Sequence, residues 1–190
     1  MDDARTIIAG WPEQSQEAAK LVIEKYGTPD EVTVEQLVWR DRGPWKRIIA
    51  TKAFHRHDFP TTHFDSVQGI IDYAIPPEKL GELGAFDGSV IVDRTPGEVS
   101  ARCHDEEANN LALNLVHDIV TGRKDVAAAR DYYKEEFLNY RRGKPTPYME
   151  KLHFQPAGKG EAADPDVTTI SDAELEQAKA EGKKSGKQAA

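Results

Sequence analysis

Three histidines and two aspartates fall within residues 54–65, FHRHDFPTTHFD. Imidazole nitrogens and carboxylate oxygens are the common protein donors to zinc-like ions. Three such donors with one position left open make a centre that can exchange water or substrate. The His-x-His spacing at His55 and His57 turns both imidazoles to one side at a strand end, because alternate residues share a face. His63 or Asp65 can then complete the set once the chain turns at Pro60. His55, His57, His63 and Asp65 are therefore the candidate ligands for zinc or another divalent metal. The competing reading is a polar loop with hydrogen-bonded histidines, since HExxH and paired cysteines, the more specific metal signatures, do not occur.

A second constellation lies on the predicted helix DEEANNLALNLVHDIVTG. At 100° per residue, Glu107, Asn110, Asn114, His117 and Thr121 fall in one narrow stripe, opposite a wide apolar arc that includes Leu111, Leu115 and Ile119. A stripe of amide and imidazole suits directional hydrogen bonding. It could orient a small polar ligand, with Glu107, Asn110, Asn114 and His117 as contacts, or it could bind backbone that crosses the helix. The histidine segment and the stripe would form one pocket if the segment folded over the helix.

Cys103 is the only cysteine, so neither an internal disulfide nor a multi-thiolate zinc site can form. It sits with His104 just before a helix start, but strand neighbours point to opposite faces, and a small buried packing residue is expected. The turns RTPG and FDG read as ordinary connections.

The elements that must position these groups follow from local signals. Pro12 and Gly27 bracket a helix over EQSQEAAKLVIEKY. QLVWRD and WKRIIATKAF flank RGP as a hairpin, GIIDYAI reads as a strand, and PPEKLGELGAF as a short helix. SVIVDR and EVSARC form a second hairpin across TPG. Asp105 and Asp125 then cap two helices that end at Gly122 and Gly143. The order α-β-β-β-α-β-β-α-α predicts an α+β domain over residues 1–154, with a mainly antiparallel sheet of about five strands packed against helices. Residues 155–190 hold few large apolar side chains and are expected to be a largely disordered tail, with a short helix at 171–179 signalled by the capping box SDAE. Over about residues 15–52, a helix ending in KYGTPDEV followed by a tryptophan-bearing hairpin resembles the small outer-membrane assembly lipoproteins. That resemblance carries no functional residue across.

Of the 190 residues, 38% are hydrophobic and 31% charged, and the net charge is −8. Nucleic acid and anionic membranes need a basic face, so neither is an expected partner. A protein partner or a small polar ligand is. No apolar run is long enough to span a bilayer. The start MDDARTIIAGWPEQ has no basic region followed by an apolar one, which points to the cytoplasm, or to the periplasm for a chain that has lost a leader. Two functions fit the residues: a non-catalytic binding or interaction module using the helix stripe and the adjacent histidine segment, or a metal-dependent or metal-handling protein using the histidine cluster.

Overall fold

Pro12 precedes the first long helix, and Gly27, at φ 74°, ends it, so the sequence signals mark both ends. In the computed structural model, which describes residues 4–184, this helix is α2 (Glu13–Tyr26), after a short α1 (Ala4–Ile8). The strands are β1 (Glu31–Val32), β2 (Gln36–Arg42), β3 (Trp45–His57), β4 (His63–Asp72), β5 (Val90–Asp93) and β6 (Glu98–Cys103). The remaining helices are α3 (Leu80–Phe86), α4 (Glu106–Val120), α5 (Val126–Arg141), α6 (Pro147–Glu150) and α7 (Asp172–Lys184). The fold is α+β, as the sequence predicts. The sheet has six strands rather than five, because Glu31–Val32 adds a short edge to β2.

Every pairing is antiparallel, in the order β1-β2-β3-β4-β6-β5. Helices α2 and α4 pack on one face, over β3, β4 and β6. The core between them includes Trp39, Trp45, Ile71, Leu111, Leu115 and Ile119, all buried. Trp45 lies flat against Gly69, where a Cβ would come within 2.6 Å of its ring. A glycine in this central strand is therefore what lets the indole in. Burying a side chain of this size stabilises the fold by roughly 1.5–3 kcal/mol or more.

The histidine-rich segment is the main departure from the sequence reading. It is not a loop after a strand but the end of a long hairpin. β3 continues to His57 and β4 starts at His63, with His57 opposite His63 and His55 opposite Asp65. Between Ala50↔Val67 and His55↔Asp65 the register shifts, so residues 51–54 of β3 face Ser66 alone of β4. Such a bulge bends the strand and re-aims what lies beyond it. Phe59 pins the tip, packed against Tyr133 with a ring separation of 4.9 Å and lying beneath the Arg130 guanidinium at 3.9 Å.

After α6, residues 155–166 run back along the sheet. Ala157 N–H donates to Asp72 O at 2.9 Å, and Arg94 pairs with Asp164 and Asp166. Gly97, at φ 70°, has no room for a Cβ beneath the backbone of Ala162. Composition does not signal these contacts. The SDAE capping box forms, with Ser171 and Glu174 exchanging hydrogen bonds at the start of α7. Among the described residues, no helix is long and apolar enough to cross a membrane.

Candidate metal centre

The hairpin β3–β4 places His57 and His63 as cross-strand partners, with ring centroids 5.0 Å apart. Asp65, two residues along β4 from His63, shares its face. His57, His63 and Asp65 each offer one donor atom, and the three atoms lie within 4.8 Å of one another. Asp65 is only 1% exposed, and a carboxylate so buried needs hydrogen-bonding or charged partners.

A backbone hydrogen bond assigns the His63 tautomer. His63 Nδ1 lies 2.8 Å from Thr61 O, an acceptor only, so Nδ1 carries the proton. Ser89 Oγ donates to Asp65 Oδ2. His57 Nδ1 lies 3.3 Å from that hydroxyl and 3.2 Å from Asp65 Oδ2, while its Nε2 faces Asp87 Oδ1 at 3.6 Å. In its neutral form His63 is left with the Nε2 lone pair on the side of Asp65. Such an outer hydrogen bond on the far nitrogen is how proteins orient a metal-ligating histidine.

His63 Nε2 lies 2.9 Å from Asp65 Oδ1, yet Oδ1 is buried without a hydrogen-bond partner. Two lone-pair atoms this close need a cation between them or a proton on Nε2. The titration directions allow the proton. Burial disfavours charge on His63, but the contacts to Asp65 and Thr61 outweigh it and raise its pKa. Burial likewise opposes ionisation of Asp65, and His63 and Ser89 more than offset it, so Asp65 stays a carboxylate. Either a proton on Nε2, making a charged His63–Asp65 pair, or a cation held by both atoms satisfies this contact.

Three further groups border the cluster. Asp87 Oδ1 is 3.6 Å from His57 Nε2, and burial raises the Asp87 pKa. Ser89 N–H donates to Asp87 Oδ1 at 2.8 Å, so the FDG turn is an Asx turn that also aims a carboxylate at the site. Cys103 Sγ lies 3.4 Å from His63 Nε2. Burial, then the charges of Asp65 and Asp105, push the thiol well above its ordinary pKa, so it is not an activated nucleophile. Nor do Ser89, His57 and Asp87 act as a nucleophilic triad. The Ser89 proton goes to Asp65 rather than to His57, and the hydroxyl is buried.

His55 is exposed and stands outside the donor group, although it shares the His57 face. It stands opposite Asp65 across the strands, yet its ring nitrogens do not join the three donor atoms.

The helix stripe lies elsewhere. Asn114 Nδ2 donates to Tyr148 O at 3.0 Å and to Lys151 O at 2.8 Å, and its Oδ1 accepts from His153 N–H at 2.7 Å. Asn110 Nδ2 donates to Met149 O at 3.1 Å, while its Oδ1 is buried and unpaired. His117 stacks on Phe154, its ring 4.4 Å away, and its Nδ1 meets Tyr73 OH at 2.7 Å. Glu107 borders a separate shallow recess between α2 and the start of α4. The amides therefore hold the chain's own backbone, and the His117 end of the stripe lies far from the histidine hairpin. His63 begins β4 and Tyr73 follows its far end, roughly 30 Å away at about 3.3 Å per residue.

His63 and Cys103 also line a cleft of about 260 Å³ between the hairpin tip and α5. No family model matches the chain, and neither the curated proteins nor the solved structures include a significant match.

Proposed function

We propose that the protein binds a zinc-like divalent ion through His57, His63 and Asp65 and acts as a metal-dependent enzyme at the adjoining cleft. The observation that carries this reading is the convergence of one donor atom each from His57, His63 and Asp65 within 4.8 Å, on a carboxylate that is buried. Two imidazoles and a carboxylate are a donor set that zinc accepts, and three protein ligands leave a position for water or substrate. Such an ion would polarise a bound carbonyl or phosphoryl oxygen, or lower the pKa of a bound water. Asp87, Ser89 and Thr61 would act as outer partners, fixing ligand orientation.

The test is calorimetric titration of chelator-treated protein with zinc, alongside elemental analysis of the protein as purified. Wild type and His55→Ala should bind one ion with similar affinity. His63→Ala and Asp65→Asn should weaken binding by at least about 10- to 100-fold, the range over which even outer partners act. Wild-type protein that takes up no zinc, or an Asp65→Asn protein that binds as tightly, would sink the proposal.

A further inference from the structure

We infer that the cleft beside His63 is a binding site for a small aromatic or alicyclic carboxylate, held by its anionic end at Arg141 and by its ring against Tyr133 and Phe137. The inference extends the metal-centre reading, on which the orientation of the ligand's far end rests. The Arg141 subsite stands without it.

The cleft's size sets the scale. At about 260 Å³ it falls just below the roughly 300–1,000 Å³ of pockets for drug-sized ligands, which suits one ring with a short arm. Its walls include Phe64, Tyr133, Phe137, Tyr140 and Met149, apolar and aromatic surface that favours a flat hydrophobic body.

The polar groups of the lining are unequal. Asp105 is already committed as the cap of α4, accepting from Ala108 N–H at 2.9 Å. Arg141, in the last turn of α5, has no hydrogen bond or ion pair from its side chain among the described residues. Its guanidinium lies 5.1 Å from the Phe137 ring centroid. Stacking leaves the N–H edge free, and that edge matches a carboxylate with two parallel hydrogen bonds. Asp105 repels an anion at the α4 end of the cleft, so the negative group belongs at the α5 end. With the carboxylate there, the rest of the ligand extends toward His63 and Cys103, where the proposed ion would meet it.

The experiment is an NMR titration of the full-length protein, as purified and after chelation, with 3-phenylpropionate, 3-phenylpropionamide and phenethylamine. The carboxylate should bind at least about tenfold more tightly than the amide, with the amine weakest. Arg141→Gln, an exposed position, should bring the carboxylate-to-amide ratio close to one while leaving zinc affinity intact. Equal binding of carboxylate and amide, preference for the amine, a ratio that survives Arg141→Gln, or no binding to wild type would each overturn the inference. Loss of the metal reading shows separately, as failure to bind zinc in protein that still discriminates the carboxylate.

Discussion

Replacing Asn114 by alanine separates a stripe that binds a ligand from one that holds the fold together. The side chain makes three hydrogen bonds to the backbone of residues 148–153, two donated and one accepted. Alanine removes all three and leaves two carbonyls and one N–H unpaired beside a small cavity. A buried group left unsatisfied costs about 1–3 kcal/mol. These bonds are only partly buried, so water reaches the freed backbone and the low end applies to each. The expected loss is therefore about 3 kcal/mol. For a domain of 150–250 residues, this corresponds to a fall in Tm of roughly 6–12 °C. Urea unfolding measures the free energy, and amide hydrogen exchange at His153 reports whether the crossing segment has come loose. The wild-type His153 amide should be protected and the variant's should exchange much faster. A loss under about 1 kcal/mol with His153 protection unchanged would refute the structural role.

Two further outcomes follow from the packing and the titration. Gly69→Ala drives a methyl group into the Trp45 ring and should cost about 1–3 kcal/mol, read by urea denaturation, with Trp45 fluorescence changed in the folded state. Burial, then the nearby Arg123 charge, lowers the His117 pKa below its ordinary value, so on acidification the unfolded chain takes up this proton first. The His117 contribution to stability is thus present above about pH 6.5 and declines as pH falls toward the folded pKa. A His117→Gln variant should lose this slope, and an NMR titration midpoint for His117 at or above 6.5 would contradict the assignment.

The elements that local chemistry specifies were legible in the sequence. Asp105 and Asp125 cap their helices as read, accepting from Ala108 and Ala128 N–H, and TPG turns the β5–β6 hairpin. What escaped depends on contacts between distant segments. The histidine segment looked like a loop because a proline interrupts it, and nothing local reveals that His57 would face His63 across a hairpin. Glu31–Val32 is too short and too polar to announce itself as a strand. In the candidate site, His57, His63 and Asp65 were visible by type and spacing, while nothing in the sequence separates His55 from them. Asp87 and Ser89 sat in a turn that reads as a plain connection, and the Cys103–His63 contact joins segments forty residues apart. Helical period alone places Asn110, Asn114 and His117 on one stripe. Its partners lie more than thirty residues downstream, where no pattern pointed to them.

All three proposed donors lie within residues 57–65, on one hairpin. Bringing them together closes only a short loop, so their assembly costs little chain entropy compared with a site drawn from scattered elements. The cluster can therefore form early, before the helices dock, and local pairing of this kind favours rapid folding. The same locality gives it an unusual evolutionary and engineering independence. The donors can be gained, lost or exchanged by changes confined to the hairpin end, while α2, α4 and the sheet centre keep their packing. The independence reaches the proposed donors but not Ser89 and Asp87, which come from outside the hairpin, so a transplanted hairpin would need both.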